Sequence, residues 1–246
     1  MECDKVHRPC APRNHESALV RLGAAWHGRG VTLSLSVDAV LTGRIALIAP
    51  NVLSAIGKMP TVEPVRVGWL GLEGDAQADL VHHGGHDKAV HLFPQDHYPW
   101  WRKMLDDHPL LGAVGAFGEN LATRGATEAT LCLGDRFTLG SALLEISQGR
   151  QPCFKLNHRF GRKDALALAM ASGRTGAYFR VIREGEIRAG DVMTRVEQPH
   201  PDWPLRRVFD LLIGDGHRDD PAGVATLARM PVLAETWRVR AEKRAR

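Results

Sequence analysis

The hydrophobic positions of this chain fall in short runs cut by glycine and proline, the spacing of strands and tight turns rather than of long helices. Val37-Asp38-Ala39-Val40-Leu41 and Ile45-Ala46-Leu47-Ile48 read as strand on either side of a Thr42-Gly43 break. Val65, Val67 and Trp69 alternate with Arg66 and Gly68, which predicts a half-buried strand. Ala89-Val90-His91-Leu92-Phe93 predicts another, stopped at Pro94, and a short helix is expected from Tyr98 to Leu105. The stretch from Leu131 to Leu139, with Ala142, Leu144 and Ile146, predicts two strands turning at Gly140-Ser141. Asp164 suits the N-cap of a helix over Ala165 to Ala171. Ala177 to Ile182 and Ile187 to Val196 flank Glu184-Gly185-Glu186, which reads as a hairpin loop.

Many short strands with glycine turns and interspersed helices predict a mainly β (α+β) fold with a barrel-like domain. The spacing does not suit a regular βαβ series, and no internal repeat is visible. Residues 1–36 carry Pro9, Pro12 and several Arg and His without sustained periodicity, and are expected to form a poorly ordered extension. The β-rich domain takes residues 37–197, and a helical module takes 198–246, entered through the proline-rich run Gln198 to Pro204. In that module Leu205, Val208, Leu211 and Leu212 follow helical spacing from Pro204. Met230, Leu233 and Trp237 are expected to share one face of a terminal basic helix whose charges read as a solvated surface.

With 246 residues the chain can build one large domain, or one domain and a small appendage. A formal net charge of +4 permits an anionic ligand. Basic and aromatic residues do not interleave and no nucleic-acid motif is present, so no nucleic acid is expected as partner. No apolar run approaches the roughly 20 residues of a bilayer span, so no membrane is expected either. The N-terminus has no uninterrupted apolar segment of the signal-peptide kind. Cys3, Cys10, Cys132 and Cys153 form no C-x-x-C pair and are too few for a disulfide scaffold, which fits a reducing cytoplasm.

Three loops carry candidate chemistry. Ser147-Gln148-Gly149-Arg150-Gln151-Pro152-Cys153-Phe154-Lys155-Leu156-Asn157 sets a thiol between Arg150 and Lys155, cationic neighbours of the kind that favour a thiolate. Gly71-Leu72-Glu73-Gly74-Asp75 is followed by His82-His83-Gly84-Gly85-His86-Asp87-Lys88, a turn whose backbone amides, with His83 and Lys88, suit a phosphate or another oxyanion. Phe117-Gly118-Glu119-Asn120-Leu121 places an acceptor beside an amide. None of these matches a P-loop or a Rossmann fingerprint. The histidines at 82, 83, 86, 91 and 97 raise the question of a zinc site, but no paired cysteine or His-Glu-x-x-His accompanies them. Cys153 with His158 could form a nucleophile–base pair, and the spacing does not decide it.

Taken in order, Gly-Leu-Glu-Gly-Asp at 71–75, His-Gly-Gly-His-Asp-Lys-Ala-Val at 83–90, Phe-Gly-Glu-Asn-Leu at 117–121, Gly134-Asp135-Arg136-Phe137 and the Arg150 to Asn157 run resemble MOSC-domain proteins. MOSC names the C-terminal domain of molybdenum-cofactor sulfurase. The chain is similar in particular to the YiiM-like, 6-N-hydroxylaminopurine-resistance branch, which carries a C-terminal three-helix module. The resemblance covers about residues 37 to 240. It implies a MOSC β-barrel-like domain that binds the molybdenum cofactor (Mo-molybdopterin), with Cys153 as thiolate ligand to molybdenum. His83, Gly84, Gly85, Asp87, Lys88, Asn120, Arg150, Lys155 and Asn157 are then expected around the cofactor. Asp87 of that set, together with Glu119, would hold pterin N–H groups or orient the cations.

The implied reaction is reduction of an N-hydroxylated compound to the amine, with His83, His97 and Glu119 as candidate proton donors. No flavin, haem or NAD motif is present, so a separate electron-donor reductase is expected as partner. The competing readings are a non-enzymatic sulfur or cofactor carrier, using Cys153 as persulfide or delivery thiol, and a zinc enzyme built on the histidines. One departure stands out. Where relatives have Gln-Pro-Arg, this chain has Gln148-Gly149-Arg150, and Gly149 is expected to loosen the backbone there. His91 is expected to serve as packing or pocket wall.

Overall fold

A computed structural model describes residues 33–78 and 84–246. The strands are β1 (Ser34–Thr42), β2 (Ala46–Ala49), β3 (Val52–Ser54), β4 (Met59–Pro60), β5 (Val65–Gly68), β6 (Gly71–Leu72) and β7 (Val90–Pro94). They continue as β8 (Leu121–Thr123), β9 (Arg136–Leu139), β10 (Ala142–Gly149), β11 (Ala177–Arg183), β12 (Gly185–Ile187) and β13 (Val192–Glu197). The helices are α1 (Tyr98–Met104), α2 (Lys155–Phe160), α3 (Ala165–Ser172), α4 (Leu205–Leu212), α5 (Pro221–Leu227) and α6 (Glu235–Arg244).

Seven strands close into a barrel in the order β13-β9-β10-β11-β7-β8-β1, and β1 returns to pair with β13. Alternation explains the closure. Leu35 and Val37 of β1, Phe137 and Leu139 of β9, Leu144 and Ile146 of β10, and Phe179 and Val181 of β11 all face the same buried core. Each such side chain removed from water contributes roughly 1.5–3 kcal/mol, and a closed sheet leaves no long unpaired edge. The pairs are antiparallel except β7 with β8, which run parallel. Two small sheets sit beside the barrel: β12-β5-β6 and the β2–β3 hairpin. The mainly β, barrel-centred class expected from the strand spacing is therefore the observed one.

Several local expectations change. The first 32 residues, with Cys3 and Cys10, lie outside the described residues, and β1 already begins at Ser34. Ile45 to Ile48 does include strand, but β2 faces outward, with Leu47 68% exposed. Strand does not start at Leu131. Asp135 turns the chain instead, its Oδ2 accepting from the Cys132 amide at 3.0 Å while its own amide donates to Cys132 O. Glu184-Gly185-Glu186 is not a hairpin loop, because Gly185 and Glu186 open β12, which pairs with β5. β13 pairs with β9 and β1. Trp69 lies beyond β5 at a turn and is 48% exposed, whereas Val65 and Val67 are buried as expected. Asp164 stands at the N-cap of α3 without a side-chain cap hydrogen bond and pairs with Arg162.

The C-terminal helices share a core built from Trp203, Phe209, Leu212, Val224, Leu227 and Trp237, which also takes in Leu133. Met230 and Leu233 precede α6, set off by Pro231, and only Trp237 of the three lies on that helix. The helices hold the barrel directly: the Ala234 amide donates to Ser147 O at 3.0 Å. A Cβ at Gly149 would stand 3.2 Å from the Trp237 ring. Gly149 thus does not loosen the backbone. It pairs with Ala177 as the last residue of β10, and its missing side chain makes room for Trp237. Among the described residues, no helix is long and apolar enough to cross a membrane.

Candidate functional site

Beside the end of β10 and the beginnings of β7 and β11, loops that carry residues 54–58, 75–78, 117–120 and 150–155 meet around a cleft enclosing about 610 Å³ of empty space, its open mouth included. Cys153 lines it, half-buried and free. The thiol is placed by the turn that leaves β10 at Gly149 and enters α2 at Lys155. Arg150 and Lys155 line the same cleft, with Lys88 from the turn before β7 and Asn120 from the loop before β8. The Gly84-Gly85 pair does not line it. Gly85 closes a 3-10 turn in which the Lys88 amide donates to Gly85 O at 3.0 Å, and that turn presents Lys88 to the cleft.

Glu119, His97, Asp87 and Asn157 do not line the cleft. His83 lies outside the described residues. Glu119 is fully buried, its carboxylate accepting from the Gly115 amide at 2.6 Å, the Phe117 amide at 3.0 Å and the Tyr98 hydroxyl at 3.0 Å. It folds the loop that carries Asn120 and does not face the cleft. His97 is held on both ring nitrogens, by Glu128 at 2.6 Å and by Arg174 at 3.2 Å. Asp87 turns to Arg180 at 2.7 Å and accepts from the Glu235 amide at the head of α6. Asn157 caps α3, its Oδ1 accepting from the Leu166 amide at 2.7 Å. Glu119, His97, Asp87 and Asn157 all act on the framework around the cleft.

Among the further side chains that line the cleft, four are titratable: Lys58, Asp75, His91 and Tyr178. Asp75 is nearly buried and accepts from the Gly43 amide at 2.8 Å, from Asn120 Nδ2 at 2.8 Å and from Lys58 Nζ. Asp75 was visible in sequence only as the end of a glycine-rich turn. Lys58 sits in an unremarkable loop after β3, and no sequence signal marks it. His91 and Tyr178 oppose each other across β7 and β11, with ring centroids 5.0 Å apart. His91 is thus pocket wall, as expected.

The electrostatics follow from burial. Burial pushes the Lys58 ammonium below its ordinary value, although Asp75 resists. His91 is held well below the usual imidazole range by burial, with Arg150 adding to the effect, so it is neutral at pH 7. The Tyr178 hydroxyl is raised by burial, with Arg150 opposing. Among the described residues, no three His, Cys, Asp or Glu side chains form a metal-binding group. The site is a thiol facing basic groups and one buried carboxylate. That arrangement can hold an anionic ligand and offer one soft donor.

Residues 79–194 match the MOSC domain family model. The chain is 47% identical over 137 residues to the uncharacterized protein YflK of Bacillus subtilis strain 168, covering 56% of this chain and 61% of that protein. It is 39% identical over 150 residues to protein YiiM of Escherichia coli strain K12, covering 61% of this chain and 67% of the relative. A Gibberella moniliformis protein named Reductase is 41% identical over 180 residues, which make up 73% of this chain and 31% of the relative. The match therefore spans less than two thirds of the length of YflK and of the Reductase. The crystal structure of YiiM from Geobacillus stearothermophilus superposes with a TM-score of 0.71 at 30% identity, covering 86% of this chain and 100% of that one. The motifs, the barrel and these relatives agree, and the chain belongs to the MOSC-domain family as a YiiM-like member.

Proposed function

We propose that the cleft holds the molybdenum cofactor against Cys153, and that the protein reduces N-hydroxylated compounds (hydroxylaminopurine-type bases and hydroxylamines) to amines. One observation carries this reading: a half-buried thiol shares a single cleft with Lys58, Lys88, Arg150 and Lys155. MOSC domains are associated with that cofactor, and the relative named Reductase supports redox chemistry.

The residues present fit the group in kind. A thiolate is the soft donor that molybdenum in a sulfur-rich shell accepts. Arginine and lysine are the side chains suited to a terminal phosphate. In this reading Cys153 is the sulfur ligand, Lys88, Arg150 and Lys155 take the phosphate, and Asn120 with Asp75 orients the ring system. When bound, the cofactor would supply the two-electron redox chemistry at the N–O bond.

The overall change is R–NH–OH with two protons and two electrons giving R–NH2 and water. The N–O bond breaks and the substrate nitrogen is reduced. Lys58 is the cleft residue suited to deliver a proton to the leaving oxygen, because its ammonium lines the cleft and burial holds it below its ordinary value, against the pull of Asp75. Neutral His91 and Tyr178 form part of the cleft wall. The electrons come from a separate donor protein. The substrate is a small N-hydroxylated molecule, with neither nucleic acid nor membrane as partner.

The test uses protein made in a cofactor-producing host, with a reduced dye as electron donor. Hydroxylaminopurine should be converted to the aminopurine, and Cys153→Ala should abolish turnover. Undiminished turnover in Cys153→Ala refutes the role given to the thiol. Metal-free protein carrying a labile sulfur on Cys153 would favour the carrier reading instead.

A further inference from the structure

The turn between β5 and β6 is chemically out of place. Tight hairpin turns favour Gly, Asn and Asp, yet Trp69 and Leu70 occupy this one and stand 48% and 58% exposed. The turn is also held firmly. The Trp69 amide donates to Glu184 Oε1 at 3.2 Å, and Gln77 Nε2 donates to Leu70 O at 3.4 Å. Gly71 lies so close to the start of β7 that a Cβ there would stand 2.8 Å from Ala89 O. Two large apolar residues are therefore fixed in water by contacts that serve no core, since neither belongs to a buried cluster.

These residues line a second, wider groove, which encloses about 1090 Å³ of empty space including open solvent. Asp75 and Gln77 line both this groove and the Cys153 cleft, so the two adjoin at these residues. The groove is also lined by hydrogen-bonding side chains, Arg66 and Glu73 on the same hairpin and Glu184 beside it. An apolar shelf bordered by polar groups suits a flat heteroaromatic ring that stacks on its face and hydrogen-bonds at its edge.

We infer that the Trp69–Leu70 turn is the substrate platform: it holds the planar base of an N-hydroxylated heteroaromatic compound while the N–OH end reaches past Asp75 into the cleft. This rests on the proposed reduction, and it adds the residues that select aromatic over aliphatic substrates. Substrates without a ring gain nothing from the shelf.

The experiment compares hydroxylaminopurine with hydroxylamine itself in the cofactor-loaded enzyme, with a reduced dye as donor. The variants are Trp69→Ala and Trp69→Phe. Base–aromatic stacking amounts to a factor of roughly five or more in affinity. The kcat/KM ratio of the purine over hydroxylamine should fall by about that factor in Trp69→Ala and recover in Trp69→Phe. Equilibrium titration with adenine, the amine product, should show Kd rising by about the same factor in Trp69→Ala, independently of turnover. An unchanged ratio with unchanged adenine affinity overturns the platform. So does an equal loss on both substrates, which would assign Trp69 to the fold. If the wild type reduces neither compound, the proposed reaction fails, while adenine titration still judges the shelf alone.

Discussion

Replacing Glu128 by alanine removes one buried carboxylate that organises two sides of the molecule. Its Oε1 accepts from the Thr175 amide at 2.8 Å and the Gly176 amide at 2.5 Å, and its Oε2 meets His97 Nε2 at 2.6 Å. Without it, two backbone amides and an imidazole N–H are left buried and unpaired. Each such donor costs about 1–3 kcal/mol, so a loss of about 3 kcal/mol is the lower bound. At roughly 2–4 °C per kcal/mol for a chain of this size, Tm should fall by about 6–12 °C. Glu128→Gln keeps an oxygen for the amides but sets an NH2 group against His97, whose other nitrogen already faces Arg174. It should fall between wild type and alanine.

The same clamp reaches the cleft. Thr175 O meets His91 Nε2 at 3.1 Å, and Gly176 O accepts from the Arg150 amide at 3.1 Å. A pH dependence follows. Burial disfavours the charged Glu128, but the His97 bond and the Gly176 amide outweigh it and hold its carboxyl below the ordinary value. Its contribution is therefore complete at neutral pH and is lost as pH falls through that lowered value. Thermal unfolding followed by circular dichroism, from pH 3 to 8, measures both effects. A Tm within about 2 °C of wild type for Glu128→Ala would refute the clamp.

Lys58→Met leaves the Asp75 carboxylate buried without its cation and should cost about 3–5 kcal/mol in urea unfolding, with part regained in Lys58→Met/Asp75→Asn. Asn157→Ala should lose the cap of α3, about 1 kcal/mol, while cofactor content measured on the purified protein stays at the wild-type level. Burial pushes the Asp135 carboxyl up to about 6, and its Oδ1 has no hydrogen-bond partner among the described residues. A raised folded value means this group's stabilising contribution is present at low pH and lost as pH rises through about 6. Wild type should therefore lose ground to Asp135→Asn in Tm between pH 4 and 7.

The barrel was legible because inward residues of β1, β9, β10 and β11 keep a period of two, which only a half-buried sheet explains. Cys153, Arg150, Lys155, Lys88 and Asn120 were legible because glycine and proline marked their loops. What local pattern does not encode is orientation. Glu119, His97 and Asp87 have the chemistry of site residues, yet backbone amides and partner side chains turn them into the framework. Lys58 escaped notice because its place in the cleft depends on Asp75, 17 residues away, and on the β2–β3 hairpin folding beside the barrel. Gly149 misled for a similar reason. The ring that fills the space above it belongs to α6, far along the chain.

The central claim is that the residue 153 sulfur anchors a molybdenum-bearing pterin in this cleft. Elemental and pterin analysis of the purified protein, made in a cofactor-producing host, addresses it without any assumption about substrate. Wild type should carry about one molybdenum and one pterin per chain, and Cys153→Ala should lose the metal while remaining folded. A wild type without molybdenum, or an alanine variant that retains it in full, would contradict the account.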